Sequence, residues 1–531
     1  MKNVRYILVS IVLAVGLTSC EDFLTRYPEG GVLLEDQYEK LPDNLTGSIM
    51  GIYSQLYAYG GDHDEFGIRS IDMYGDFQSG DMAMKNETYG WFSNYDRGFF
   101  YVYARSYLWG FYYSIINSIN ISANAVKDNV QEMIDGIGGE PTAATIEQAY
   151  YYGQIMALRG WAYANLLNFY CDPMDEIDDF EAEPAVPVYT ETEYASGSVG
   201  EPRASVAQVY DRVYEDLSMA IDLLDYYGTL YPRSSKLEVD ADVARLMLAY
   251  AMLNHGKKEM IIADGKNAYQ IALERAKEVI DGGYYPLMPV TNLYNTGFAN
   301  VDAANWMWGQ DVTVETTSAL ASFFGQVDVH TYSYAAAGDT KCIDSKLYDQ
   351  LAATKWDARV DWFNPGDAKN AYCPENKFYC PSTRNEYDLD KVDRAWLSDN
   401  VFMRVEAAYL IAAEAAYRLD DEATSKAYLK ALCDERVISG KESEYDAWLS
   451  SLAGDELKNA IVYNWRVEMW GEGYGLQTFR RIGKSYDLGT NHLDTRKEKT
   501  IEPDESCQCE IPTSEAIYNP NLNKYDYAYD N

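Results

Sequence analysis

The sequence predicts an all-α, mainly helical protein with large irregular excursions. Apolar residues recur at helical spacing over long stretches, at 101–130, 143–170, 205–281 and 401–470. Between them, residues 60–100 and 284–400 lose that periodicity and become rich in Gly, Asp, Asn and Pro while staying dense in aromatics. At 47% hydrophobic residues, the chain can bury a large core.

The chain opens with Lys2 and Arg5, then a nearly apolar run from Tyr6 to Leu17, then Leu17-Thr18-Ser19-Cys20. A basic start and a short apolar run read as a secretory signal. The run is too short for a permanent span, which needs about 20 apolar residues. Its end resembles the bacterial lipobox, so residues 1–19 are expected to be removed and Cys20 to carry acyl chains. The rival reading is an ordinary cleaved signal with a chance cysteine.

The rest, 20–531, reads as one domain. Leu45, Ile49, Ile52, Tyr53 and Leu56 mark a first helix, within a helical segment at about 40–59. Residues 60–98 read as a long ordered loop, because Ile68, Ile71, Met73, Tyr74, Phe77, Trp91, Phe92 and Tyr95 are too apolar for a solvated one. Leu108, Tyr112, Ile115, Ile116, Ile119 and Ala123 form one stripe of a long helix over 101–130. A second helix covers 143–170 and ends before the acidic run Asp172–Glu183 around Pro173. Helices follow over 205–226, 240–256 and 267–281. In the last, Ala272 and Ala276 sit where two helices must approach closely, which resembles the second helix of a tetratricopeptide unit. A helix-pair scaffold over about 101–281 and 401–480 is therefore expected, with further helices at 401–419, 422–438 and 455–470.

The formal charge of −39 argues against nucleic acid, which demands clustered Lys and Arg, and against lying on anionic lipid. It fits solubility at a crowded surface. The 48 Tyr pair apolar area with a polar tip, as suits wet ligand surfaces, although most will serve packing. Eight Cys and four His (His63, His255, His330, His492) show no zinc-ligand spacing, so no metal and no cofactor are read. Lipidation of Cys20 leaves an odd number of thiols. The Cys373/Cys380 and Cys507/Cys509 pairs leave disulfide pairing open.

Five separated stretches together resemble the SusD/RagB family of outer-membrane nutrient-binding lipoproteins. They are Cys20-Glu-Asp-Phe-Leu; Ala157-Leu-Arg-Gly-Trp-Ala; the Arg404…Glu406…Ala-Glu414-Ala helix; Arg466-Val-Glu-Met-Trp-Gly-Glu-Gly with Phe479-Arg-Arg-Ile-Gly; and Ile511-Pro…Glu…Asn-Pro. Cys171, where glycine is usual, and Asn464-Trp465 before Arg466 depart from the pattern. The charges in these motifs read as structural. Arg404, Glu406 and Glu414 lie on an Ala-rich helix and need partners, with Arg466, Glu468, Glu472, Arg480 and Arg481 as candidates. Glu468 and Glu472 as a glycosidase pair is the weaker reading, since carboxylates four apart on one helix rarely flank a substrate bond.

The resemblance implies a non-catalytic, lipid-anchored protein on the cell surface that binds glycan, or alternatively oligopeptide. It would act as a lid on a SusC-like TonB-dependent transporter in the outer membrane, and Glu21 and Asp22 look like the family's surface-export signal. The resemblance also implies an aromatic ligand face. Matching positions here are Trp91, Asn94, Tyr95, Tyr294, Trp306 and Trp308, with Asp72 near enough to accept hydroxyl hydrogen bonds. In Trp91-Phe-Ser-Asn94 the Trp would stack on a sugar and the Asn would bind its hydroxyls.

Overall fold

The helical periodicity seen in the sequence appears as a chain of packed helices. The computed structural model describes residues 45–98, 102–192, 200–293, 298–330, 332–366, 370–378, 397–503 and 508–522. The leader and Cys20 lie outside these residues, as do Tyr294, Cys380 and Cys507. Among the described residues no helix is long and apolar enough to cross a membrane.

Helix Ala143–Tyr170 packs on Val206–Leu230, which packs on Ala241–His255, then on Ala268–Gly282, then on Glu406–Arg418, then on Glu422–Asp434. Helix Val102–Val126 lies against Ala143–Tyr170. Local chemistry sets the starts. Ser205 with Gln208 and Asn267 with Gln270 form capping boxes, and the Asp240 side chain accepts from Val243 N. Gly256 and Gly283 end their helices in the left-handed conformation.

The Arg159-Gly160 motif explains the closest of these packings. A Cβ on Gly153 would meet Leu224 Cγ at 2.9 Å, and one on Gly160 would meet Leu217 Cγ at 2.8 Å. The two glycines thus form a notch for the neighbouring helix. Beside it Arg159, 1% exposed, binds both oxygens of Asp216 at 2.7 and 2.8 Å and reaches Asn120 and Glu191. One guanidinium therefore ties three helices and a loop.

Strands occur as two-stranded antiparallel pairs. Trp306–Gln310 pairs with Asn400–Arg404, and Met82–Met84 with Lys341–Ile343 in the register Ala83↔Cys342. Two expectations are corrected here. The segment 401–419 is not helical from its start: residues up to Arg404 are strand, and helix runs over Glu406–Arg418. The stretch 60–98 is not loop throughout, because Ile68–Gln78 is a helix. That helix is buried on nearly every side, so it carries no apolar stripe to betray it. Helix Ser345–Thr354 likewise lies inside the stretch read as irregular.

The charges of the motifs form a core of their own. Arg404 binds Glu468 and Glu472, each at 2.7 Å, and Glu406 at 3.2 Å. Arg436 and Arg359 bind Glu468 at 2.8 and 3.0 Å, and Lys377 binds Glu472 at 2.8 Å. Glu414 pairs with Arg481 at 2.9 Å. Burial alone would raise Glu468, but the Arg436 and Arg404 guanidiniums hold it well below the usual carboxylate range. Arg466 pairs instead with Asp81, and Arg480 with the carbonyls of Asn168 and Cys171.

Candidate ligand site: an aromatic cluster around Trp91

The site is built on the segment between helix Leu45–Gln55 and the long helix Val102–Val126. Gly67, at φ 76, lets the chain fold back on Leu56: a Cβ there would sit 2.1 Å from Leu56 O. Ile68 N donates to that carbonyl at 2.8 Å. The preceding turn, closed by Gly60 N to Glu65 O at 2.8 Å, presents Asp62, His63 and Asp64. Gln326 Nε2 binds His63 O at 2.7 Å, and Tyr334 OH and His63 Nδ1 are 2.6 Å apart.

His63 stacks on Trp91, with centroids 5.2 Å apart and planes 18° from parallel. Tyr334 stands edge-on to His63 and Trp91, Tyr89 edge-on to Tyr334, and Tyr59 edge-on to His63. Tyr89 is 63% exposed and Tyr59 50%, while Trp91 and Asn94 are half-buried. Large apolar faces open to water in one cluster are a mark of a binding surface.

The backbone that carries this cluster is fixed from below. Asp339 Oδ1 accepts from Thr88 N and, at 2.7 Å, from Tyr89 N. Phe92 lies at φ 70, a conformation costing a Cβ-bearing residue about 1–3 kcal/mol. Its ring is 1% exposed and packs among Phe66, Tyr74, Phe77 and Tyr95, which holds the kink. That kink separates a packed ring, Phe92, from a half-exposed one, Trp91.

A cavity of about 190 Å3 opens here, with Trp91, Asn94, Tyr89 and the acids Asp62, Asp64 and Glu65 in its wall. Burial, with Glu65 and Asp62 close by, pushes the Asp64 carboxyl up to about 6. The wall is thus a mix of ring faces, one side-chain amide and carboxylates. It has hydrogen-bond acceptors for hydroxyls and a negative field that repels anions.

The expected site residues divide. Trp91 and Asn94 are together at this cavity. Tyr95 lines it too, but is 3% exposed and stacked on Tyr74 at 4.3 Å, so it supports rather than presents. Asp72 and Trp308 are elsewhere: both line a second cavity of about 90 Å3 bounded by Trp161, Tyr250, Phe402 and Glu472. Asp72 is held by Arg69 at 2.6 Å. Trp308 is 1% exposed, with Nε1 bonded to Leu237 O at 2.7 Å. Trp306 has no exposed surface at all; its ring is core, which corrects its expected role as ligand contact. Tyr294 lies outside the described residues. Tyr59, His63, Tyr89 and Tyr334 were missed. Only Tyr89, two residues before Trp91, carried a sequence signal.

A SusD-like family profile, described as starch-binding and associating with the outer membrane, matches residues 45–248. Over that stretch, and in its fold, the chain is similar to the SusD-like family. Its fold matches a SusD-like carbohydrate-binding protein of Bacteroides vulgatus at 22% identity, with TM-score 0.69, covering 92% of this chain and 98% of that one. A putative sugar-binding protein of the same species matches at 21%, with TM-score 0.67 and coverage of 91% and 97%. Surface glycan-binding protein A of Bacteroides uniformis matches at 17%, with TM-score 0.61 and coverage of 92% and 100%. At these identities the likeness is one of fold. Comparison with curated proteins gives no match.

Proposed function

We propose that this SusD-like chain is a cell-surface lipoprotein that captures neutral oligosaccharides at the Trp91 cluster. It is anchored through Cys20 and passes its ligand to a SusC-like TonB-dependent transporter in the outer membrane. The observation that carries the binding reading is the half-exposed Trp91 beside Asn94, within a cluster of exposed tyrosines. Ring faces meet the C–H face of a pyranose, and Asn94 and the carboxylates bind hydroxyls. Asp62, Asp64 and Glu65 disfavour uronates and sulfated sugars.

The same three acids also favour a second reading, capture of basic oligopeptides. A glycosidase reading finds no support in Glu468 and Glu472. Both are buried and bound to Arg and Lys, so neither holds a proton to donate nor faces a cleft at the Trp91 cluster. Contact at an open, wet surface supports weak binding, roughly micromolar to millimolar, or about −4 to −8 kcal/mol.

A glycan array and a cationic-peptide array, run on the purified protein, test the ligand class. Binding to neutral glycans alone supports the first reading; binding to Lys- and Arg-rich peptides alone replaces it with the second. For the anchor, Cys20→Ala should leave the membrane pellet on carbonate washing, in a strain lacking the transporter. A variant that stays in the pellet contradicts lipidation at Cys20.

A further inference from the structure

Two thiols meet beneath the aromatic cluster. Cys342 and Cys373 are both fully buried and pack in one small apolar core with Ala83, Val329 and Ala335. They come from different segments. Cys342 is the middle residue of the Lys341–Ile343 strand, opposite Ala83 in the register with Met82–Met84. Cys373 follows the turn at 370–372, where Tyr372 takes φ 70. The segments are sewn together on either side of the thiols: Ile343 N donates to Tyr372 O at 3.0 Å, and Asn364 N to Cys373 O at 2.9 Å. Both thiols are free. The Cys342 thiol also donates to Ala83 O and accepts from Asn491 Nδ2, both at 3.3 Å, so its side chain is held in place.

We propose that Cys342 and Cys373 are joined by a disulfide in the mature protein, stapling the strand beneath the Trp91 cluster to the turn at 370–374. Two free thiols packed in one core, with the backbones beside them hydrogen-bonded, supply the close approach such a bond requires. The exchange balances with a dissolved disulfide such as oxidised glutathione. Each cysteine gives up its proton, one sulfur–sulfur bond forms between them, and the two electrons reduce the oxidant to two thiols. The bond closes the loop from 342 to 373. That loop contains Phe363, whose backbone bridges Pro374. It also lies next to Asp339, which holds the backbone of Thr88 and Tyr89, so the staple braces the ligand loop from behind.

Timing follows from the surroundings. Contact with the Cys373 thiol, together with burial, pushes the Cys342 thiol well above its ordinary value, so thiolate is scarce once the chain has folded. The bond therefore forms as the chain folds, and once buried it resists external reductant. Sequence spacing would instead suggest Cys373 with the nearby Cys380; the structure gives Cys373 a partner 31 positions upstream. The thiol geometry is independent of ligand class. Oxidation in the cell rests on the extracytoplasmic location proposed above.

The test is thiol mapping of the full chain. The chain is reduced and unfolded, then refolded in a mixture of oxidised and reduced glutathione. After unfolding in denaturant it is treated with iodoacetamide and digested for mass spectrometry. The expected result is a linked pair of peptides carrying Cys342 and Cys373, lighter by two hydrogens and unalkylated until reduced, while Cys171, Cys433 and Cys509 are alkylated. Reducing conditions during refolding should also lower the melting temperature of the wild type but not of Cys342→Ala or Cys373→Ala. Alkylation of Cys342 to the same extent as Cys171, or a Cys373–Cys380 link, overturns the proposal even if neither variant folds. Thiols blocked at cell harvest separate the two inferences. A chain linked after refolding but reduced in the cell contradicts the extracytoplasmic location and leaves the pairing standing.

Discussion

Raising the pH from about 6 to about 9.5 should selectively weaken the contribution of one buried imidazole, His492. Its side chain is fully buried, with Nδ1 2.7 Å from Asp96 Oδ1 and Nε2 3.3 Å from Asp344 Oδ2. Burial opposes its charge, but the bonds to Asp344 and Asp96 outweigh burial and raise it from 6.5 to about 9. The folded state therefore holds a proton that the unfolded chain releases near 6.5. The resulting stability is fully present below that value and is lost as pH rises through about 9. At about 1.4 kcal/mol per unit, it amounts to about 3 kcal/mol. The wild-type curve alone will not show it. Burial depresses Lys341 to about 7 and Lys377 to about 8, so over the same window these two make stability rise with pH. The signal is in a difference. His492→Gln carries no charge at any pH, so its destabilisation relative to wild type should shrink by about 3 kcal/mol between the two pH values. Urea unfolding followed by Trp fluorescence at both pH values measures this. A deficit that does not change with pH would refute the charged, doubly paired imidazole.

Two further substitutions test the scaffold. Glu468→Ala removes the one buried carboxylate shared by Arg359, Arg404 and Arg436 and should cost about 3–5 kcal/mol, read as a fall in melting temperature or loss of folded protein; a near-neutral result would mean the cluster is not a structural unit. Gly473→Ala, at φ 83 with a Cβ only 2.2 Å from Asp72 Oδ1, should lose more stability than Gly454→Ala, at φ 53 with open space around it. The second change carries only the backbone strain, about 1 kcal/mol, and equal losses would refute the close approach at Gly473.

The long helices were legible because each has a wet side and a packed side. Helix Val206–Leu230 buries Val209, Val213, Leu217, Ala220 and Leu224 on one stripe, which periodicity detects. Ile68–Gln78 was not legible for the opposite reason: burial on nearly all sides erases the contrast. The strand ending in Arg404 ran directly into the Ala-rich helix and borrowed its apparent period. At the site, Trp91 and Asn94 could be found together because they are three residues apart. Their partners could not, since His63 comes from the preceding turn and Tyr334 from a helix more than two hundred residues later, and only the fold unites them. Trp306 shows the converse. A Trp in an aromatic-rich stretch looks like a ligand platform, but strand pairing with Asn400–Arg404 leaves its ring with no exposed surface, while Trp308 of the same strand lines the second cavity.

The central claim is that Trp91 is a stacking platform for a neutral glycan, and Trp91→Ala tests it most directly. Calorimetry would be run with a glycan bound by the wild type, beside a melting curve of each protein. Removing a stacking anchor costs more than about 2 kcal/mol, so the affinity should fall by about 30-fold or more. Because Trp91 is half-buried, stacked on His63 and edge-on to Tyr334, the melting temperature should stay nearly unchanged. Unchanged affinity would remove Trp91 from the site. Lost affinity with a melting temperature lowered by many degrees would contradict the account in another way, making Trp91 a packing residue of the loop.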